Sequence, residues 1–111
     1  MMLLVPGAAL AADVAAPVDM PEIDIRNRSV LQRGAKYFMN YCLSCHSAQY
    51  MRYSQLAEDL GFSDELIEEN LIFTGKPIGE TMTVALQAQD AEEWFGNPPP
   101  DLTLVARAEG P

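Results

Sequence analysis

Three residues capable of thiol and metal chemistry lie within five consecutive positions of this 111-residue chain. Cys42 and Cys45 are its only cysteines, and His46 is its only histidine. On a helix, residues three positions apart share a face, with roughly 5 to 6 Å between their β-carbons. Two thiols so placed can add to the vinyl groups on one edge of a haem, and the adjacent imidazole can ligate the iron. The Cys-x-x-Cys-His spacing is typical of covalent haem c attachment.

Three other kinds of site use the same residue types. A structural zinc ion needs four protein ligands, and this chain could supply the missing ones only from carboxylates. A thioredoxin-like dithiol follows a strand in a βαβ unit, whereas the residues before Cys42 have a helical pattern. The third alternative is a disulfide with an unrelated histidine. We expect the attachment motif, defined as residues 42–46, to hold haem c with its iron.

A helix is predicted to carry the motif. Ser29 and Gln32 fit a capping box at its start. Residues at spacings of three and four then form an amphipathic stripe: Leu31, Ala35, Phe38, Cys42 and Cys45. Gly34 lies inside this helix at a cost of about 1 kcal/mol relative to Ala. Its missing side chain therefore predicts another helix packed closely against it.

The rest of the chain is also predicted to be helical, with long loops, so the expected fold class is all-α. A second helix is expected from Ser63 to Gly75, with acidic residues in its first turn. A short helical turn, DAEEWF, should end at Gly96, and Asp101 is expected to cap a last helix that begins LTLVARA. Residues 76–89 are ambiguous, and no strand is predicted.

The charge balance narrows the range of partners. The chain has 16 Asp and Glu against 7 Lys and Arg, which argues against binding to the phosphates of nucleic acid. Residues 58–93 contain ten acids and one base, whereas residues 26–36 contain four bases and no acid. The acidic segment is either a docking face for a basic partner or a solvated surface that aids solubility.

The N-terminal 23 residues resemble a truncated export signal followed by a short tail. Their apolar part is about a dozen residues long, too short for a membrane-spanning helix. Ala9-Leu10-Ala11 has the small-x-small form of a signal-peptidase site. The other end, ARAEGP, has no helix cap. We therefore expect a fragment cut at both ends.

Several runs of residues resemble known families. The segment RGAKYFMNYCLSCHS resembles the first helix of class I cytochromes c, in which the glycine lets the terminal helices cross closely. Three segments resemble the cytochrome c1 family, whose members are the haem c subunits of the cytochrome bc1 complex. They are CLSCHSAQYMRYSQL, FTGKPIGETM and AEEWFGNPPPDLTLVARA. The similarity covers roughly residues 24–111. It implies the N-terminal part of a class I cytochrome c-like haem domain that is incomplete at its C-terminus.

This resemblance implies roles for seven residues. Cys42 and Cys45 would form the thioethers, and His46 would be the proximal iron ligand. Three residues would line the haem pocket: Pro99, Pro100 and Leu102. Arg107 would lie near the haem propionates, where a guanidinium can pair with a carboxylate. Without the resemblance, an ordinary rigid loop and a solvated cation explain these proline and arginine residues equally well.

The resemblance also implies a function and a location. The protein would pass electrons from a Rieske iron-sulfur protein to a soluble basic cytochrome c. It would do so as a subunit of a quinol–cytochrome c oxidoreductase, beside cytochrome b, with no independent catalytic site. Its haem domain would face the periplasm at the bacterial inner membrane, held by a C-terminal anchor that these residues lack.

Two alternatives remain open from the sequence. The protein could be a free-standing soluble c-type cytochrome, or a haem sensor or enzyme with an open distal site. In the cytochrome c1 family the distal methionine follows the Pro-Pro-Asp-Leu segment at a distance, beyond the present residues. Four methionines could be considered in its place, and we interpret them as core or surface residues: Met20, Met39, Met51 and Met82.

Overall fold

The computed structural model describes residues 21–110 of the chain. The predicted signal-peptidase site and Met20 lie outside this range. Helices dominate the described part, in agreement with the predicted fold class, and a two-stranded sheet is added to them. The elements in chain order are α1 (Arg28–Tyr37), a π-helical turn (Phe38–Cys42), β1 (Ala48–Arg52), α2 (Tyr53–Leu60), α3 (Asp64–Asn70), β2 (Thr81–Met82), α4 (Ala88–Phe95) and α5 (Val105–Ala108).

Helix α1 starts at a different cap from the predicted one. Asn27 is the N-cap, and its side-chain oxygen accepts the N–H of Val30 at 3.3 Å. Asparagine is among the strongest capping residues because its carbonyl satisfies a free N–H of the first turn. Ser29 lies inside the helix, so the predicted capping box is wrong. Gln32 instead donates its side-chain amide to the backbone carbonyl of Leu60 at 2.8 Å.

The helix widens into a π-helical turn just before the motif. The N–H of Leu43 donates to the carbonyl of Phe38, five residues earlier, at 2.9 Å. A π-helical turn shifts the helix faces by accommodating an extra residue. Met39 and Leu43 are therefore the buried positions, while Phe38 and Cys42 are only half-buried. The predicted stripe is displaced by one position at its C-terminal end, and Cys42 stays accessible.

Gly34 has no close neighbour in the described part of the chain. A β-carbon placed there would meet no atom within 4 Å. The expected close packing of a second helix at this glycine is therefore absent among residues 21–110.

Helices α2 and α3 follow the sheet strand as a pair. Helix α2 was not predicted, although Tyr53, Ala57 and Leu60 repeat at helical spacing and are buried. Ser63 caps α3 as predicted, since its hydroxyl accepts the N–H of Leu66 at 3.2 Å. Helix α3 ends at Asn70, whereas the sequence predicted a helix that extends to Gly75.

Two short antiparallel strands correct the prediction that the chain has none. Strand β1 pairs with β2 in a register that places Ala48 opposite Met82 and Arg52 opposite Thr81, with a bulge between the two pairs. A bulge breaks the alternation of buried and exposed residues, which is the sequence signal for a strand. The Arg52 guanidinium donates to the carbonyl of Gly79 at 2.6 Å, which ties the loop before β2 to β1.

One hydrophobic core joins these elements. It lies between the π-helical turn, β1, α2 and α3, and Tyr53 and Ile67 are fully enclosed in it. Its buried members are Met39, Leu43, Ala48, Tyr53, Ala57, Ile67, Leu71, Ile72 and Met82. Met39 and Met82 are buried in this core, and the half-buried Met51 packs against it.

Helices α4 and α5 frame the proline-rich loop, residues 97–104. Helix α4 ends at Gly96 as predicted, in a left-handed conformation with φ of 79°. Helix α5 begins after Leu104, so the prediction that Asp101 caps it is wrong. No helix within residues 21–110 has the length and apolar character needed to cross a bilayer.

Candidate cofactor attachment site

A single backbone carbonyl organises the attachment motif. Cys42 is the last residue of the π-helical turn, and its carbonyl accepts the N–H groups of Cys45 at 3.0 Å and His46 at 2.8 Å. Cys45 and His46 thus lie in the turn that follows the helical segment, whereas the sequence predicted both cysteines on one continuous helix. The bonds still close one tight turn, which holds the two thiols and the imidazole together.

Both thiols are free and reachable. Cys42 and Cys45 are half-buried and form no disulfide with each other. The Ser44 hydroxyl lies 3.8 Å from the Cys45 sulfur. The segment before them is helical, not the strand that a thioredoxin-like dithiol would follow. Neither sulfur atom is therefore taken up by a disulfide.

The imidazole of His46 is oriented by a backbone carbonyl. Its Nδ1 lies 2.8 Å from the oxygen of Pro100. A carbonyl oxygen can only accept a hydrogen bond, so Nδ1 must carry the proton in this contact. In the neutral ring the lone pair is then on Nε2. The hydrogen bond to the Pro100 carbonyl fixes the tautomer and the ring orientation of His46. A histidine that binds a metal usually has such a bond from its other ring nitrogen.

Four hydrogen bonds, including that of His46, join residues 46–50 to residues 100–103. We call this row of contacts the proximal seam. It consists of His46 Nδ1 with the Pro100 carbonyl, Leu102 N–H with the Ser47 carbonyl at 2.8 Å, Gln49 N–H with the Asp101 carboxylate at 2.8 Å, and Tyr50 N–H with the Thr103 hydroxyl at 3.4 Å. The seam holds the proline-rich loop against the motif.

Asp101 is the ionised member of the proximal seam. Burial alone would raise the pKa of its carboxyl group, but hydrogen bonds outweigh that effect. The Thr103 hydroxyl, the Gln49 N–H and the Thr103 N–H all donate to it, so its pKa lies below the usual 3.8. Hydrogen bonds to the charged form of an acid favour ionisation. The carboxylate thus fastens the loop to β1 through its negative charge.

A cavity of about 310 Å³ opens beside Cys45. Its walls come from the motif, from the loop that follows β2, from α4 and from the proline-rich loop. Its lining residues include Cys45, Ser47, Val84, Leu86 and Pro99.

The seven predicted site residues differ in how they are connected to the attachment motif. Three motif residues share one turn, and the carbonyl of Pro100 contacts His46. Pro99 and Leu102 are half-buried, with Pro99 in the cavity wall and Leu102 bonded to Ser47. Arg107 is exposed on α5 and is not a partner in the hydrogen bond of His46.

Sequence reasoning missed two kinds of contact at the site. Ser47 directly follows the motif, and its hydroxyl accepts the N–H of Val84 at 3.1 Å. The pair Asp101 and Thr103 binds β1, not the start of α5. The polar Asp-x-Thr pattern after the prolines was a usable signal for a local turn. Nothing in the sequence near Ser47 indicated a contact with Val84.

The donor set fits a haem attached through two thioethers. Among residues 21–110, no group of three His, Cys, Asp or Glu side chains lies close enough to hold a metal ion by itself. The site instead offers two free thiols and one imidazole whose Nε2 lone pair is available.

Comparisons with known proteins point in the same direction. Residues 22–78 match the family model described as the Cytochrome C1 family. The chain is 49% identical over 110 residues to cytochrome c1 of Allochromatium vinosum, and the match covers 99% of this chain and 45% of that protein. It is 42% identical over 109 residues to the ammonia monooxygenase gamma subunit of Nitrosomonas europaea, with 98% and 46% covered. The chain thus spans less than half the length of these relatives.

Proposed function

The chain belongs to the cytochrome c1 family, and on this premise we propose that it carries electrons through covalently bound haem c in a cytochrome bc1 complex. The observation that carries the proposal is the 2.8 Å contact between His46 Nδ1 and the Pro100 carbonyl, beside two free thiols. Because Nδ1 carries the proton in this contact, Nε2 keeps its lone pair and can ligate iron.

Three residues would hold the cofactor. Each thiol, that of Cys42 and that of Cys45, would add across one vinyl C=C bond of haem. A sulfur–carbon bond forms and the hydrogen goes to the neighbouring carbon, so the step needs no oxidant. His46 would supply the proximal nitrogen through Nε2. Because one turn contains all three groups, their positions are set together.

Bound haem supplies a one-electron couple between ferric and ferrous iron. The chain's own part is to orient the imidazole through Pro100 and to limit the access of water. Pro99 and Leu102, half-buried beside the motif, would contribute to an apolar pocket wall. Arg107, exposed on α5, would pair with a carboxylate of the cofactor. Axial ligation and burial are the protein's means of setting the reduction potential.

The wider setting follows from the same premise. Residues 24–111 would be the cysteine-bearing part of a class I cytochrome c-like haem domain. The cytochrome b and Rieske iron-sulfur subunits would be neighbours in the complex, and a soluble basic cytochrome c would accept the electron. The haem domain would face the periplasm at the inner membrane, after export directed by residues 1–23. The family match supports this setting over a free-standing cytochrome or a haem sensor or enzyme.

Covalent attachment tests the proposal directly. The full-length protein, produced in a host that matures c-type cytochromes, should keep its colour after acid-acetone extraction. Its pyridine haemochrome spectrum should be that of a haem with both vinyl groups saturated. Cys42→Ala and Cys45→Ala should each shift the α-band toward that of a haem with one vinyl group.

A matched control uses Ser44→Ala, which changes a residue between the two cysteines without removing a thiol. This variant should give the spectrum of the unsubstituted protein. If extraction removes all the colour from the unsubstituted protein, the proposed function is wrong.

A further inference from the structure

We propose that the Ser47 hydroxyl is a positioning group for the haem site, because it fastens the loop after β2 to the attachment motif. The inference rests on the proposed function. The Ser47 oxygen Oγ accepts the N–H of Val84 at 3.1 Å. The backbone carbonyl of Ser47 accepts the N–H of Leu102 at 2.8 Å. One residue next to His46 therefore binds two segments that lie far away in the sequence.

The two hydrogen bonds of Ser47 differ in whether they require its side chain. The contact with Leu102 is one of four in the proximal seam, and it uses a backbone carbonyl that every residue has. The contact with Val84 uses the side chain, and only a residue with an acceptor at this position can make it. Removing the hydroxyl should therefore release the loop after β2 and leave the proline-rich loop in place.

Within residues 21–110, few hydrogen bonds from other segments reach the loop after β2 near Val84. Residues 83–87 form neither helix nor strand. Thr83 is held by its N–H to the carbonyl of Thr81 and by the Lys76 ammonium group. The N–H of Ala85 has no hydrogen-bond partner among the described residues. Ser47 is thus the contact that ties the middle of this loop to the motif.

The loop forms one wall of the cavity beside Cys45. Val84 and Leu86 line this cavity together with Ser47 and Pro99. If the wall opens, water reaches the cofactor edge next to the second thioether. Water stabilises the more highly charged ferric state, so the reduction potential should fall. Solvent exposure is one of the factors that set the potential of a haem.

The test compares Ser47→Ala, Ser47→Thr and Ser29→Ala in the full-length holoprotein. Ser47→Ala should speed hydrogen exchange at the Val84 amide by about 3- to 10-fold, the range for the loss of one ordinary hydrogen bond. Its midpoint potential should fall below that of the unsubstituted protein. Ser47→Thr keeps an acceptor and has the cavity beside it for its methyl group, so it should restore both values.

Ser29→Ala is the control because Ser29 is exposed on α1 and lies outside the attachment motif. It should leave both the exchange rate and the potential unchanged. A Ser47→Ala protein with covalent haem but unaltered exchange and potential would overturn the inference while leaving the proposed function intact. Extractable haem in the unsubstituted protein would instead overturn the function.

A second measurement needs no variant and covers the case in which Ser47→Ala fails to fold. In the unsubstituted holoprotein, the Val84 amide should exchange more slowly than the Ala85 amide, because only Val84 is hydrogen-bonded. Equal rates at the two amides would contradict the inference.

Discussion

The imidazole of His46 and the carbonyl of Pro100 lie 2.8 Å apart although 54 positions separate the two residues. Because the acceptor belongs to the backbone, the contact does not depend on the proline ring itself. The ring does restrict the unfolded chain, which stabilises the folded state by about 0.4 to 1 kcal/mol at compatible sites.

We therefore expect Pro100→Ala to retain histidine ligation while lowering the free energy of unfolding by about that amount. Chemical denaturation and the absorbance spectrum of the holoprotein measure the two effects. His46→Ala is the comparison, since it should lose proximal ligation altogether. A Pro100→Ala protein that has lost histidine ligation would show that the ring, and not the carbonyl, orients His46.

The pH dependence of stability should include a contribution from Asp101. Its pKa is lower in the folded protein than the usual 3.8 because three hydrogen bonds outweigh burial. A lowered pKa means that the folded state binds its proton less tightly than the unfolded state. The contribution is therefore fully present above the unfolded pKa and is lost as the pH falls through the folded pKa.

Asp101→Asn removes this charge and should destabilise the protein at neutral pH by about 0.2 to 1 kcal/mol, because solvent screens a carboxylate that is partly exposed. The difference from the unsubstituted protein should shrink below about pH 4, as follows from proton linkage. Unfolding curves across this pH range check both points. Glu69→Gln, on the exposed face of α3, is the control and should change stability little. A difference that stays constant with pH would contradict the assignment.

Two glycines allow backbone strain to be separated from a side-chain clash. Gly61 ends α2 with φ of 67°, and Gly96 ends α4 with φ of 79°. Alanine at either position pays about 1 to 2 kcal/mol for the left-handed conformation. At Gly61 the new β-carbon would also lie 2.9 Å from an Arg28 guanidinium nitrogen, whereas at Gly96 it would meet nothing within 4 Å.

Gly61→Ala and Gly96→Ala should each lower the free energy of unfolding by about 1 to 2 kcal/mol, the strain of a left-handed residue. The Arg28 guanidinium is the end of an exposed, flexible side chain and can move aside, so the loss at Gly61 should be the same in an Arg28→Ala background. Denaturant titrations of the single variants and of the Gly61→Ala, Arg28→Ala double variant measure this. A loss at Gly61 that shrinks when Arg28 is replaced would mean that the guanidinium cannot move aside.

The acidic face of α2 and α3 should govern association with a basic cytochrome c. Its exposed members are Glu58, Asp59, Asp64, Glu65, Glu68 and Glu69. Exposed charges are screened over about 8 to 10 Å at ordinary ionic strength, so the association rate should fall as salt rises. Stopped-flow mixing of the full-length protein with a soluble basic cytochrome c measures this dependence.

Replacing Glu68 and Glu69 by glutamine should slow association at low salt and weaken its salt dependence. Glu22→Gln, which removes an exposed charge from outside these helices, is the control. Rates that do not change between low and high salt would leave solubility as the role of the acidic face.

Local signals in the sequence predicted the features whose causes are local. Ser63 caps α3 because a hydroxyl can reach the N–H groups of the very next turn, and Gly96 ends α4 because glycine tolerates the left-handed conformation. The first cap was misassigned because two polar residues, Asn27 and Ser29, competed for one helix start. The strands were missed because each is short and their pairing contains a bulge.

The sequence by itself determined the chemistry of this protein, since Cys42, Cys45 and His46 are neighbours and any fold must bring them together. The tertiary structure decided which groups orient and enclose them. His46 meets a carbonyl of Pro100, and Ser47 meets an N–H of Val84. Every residue has a carbonyl and nearly every residue has an N–H, so these partners leave no mark in the sequence. Only the packing of distant segments selects them.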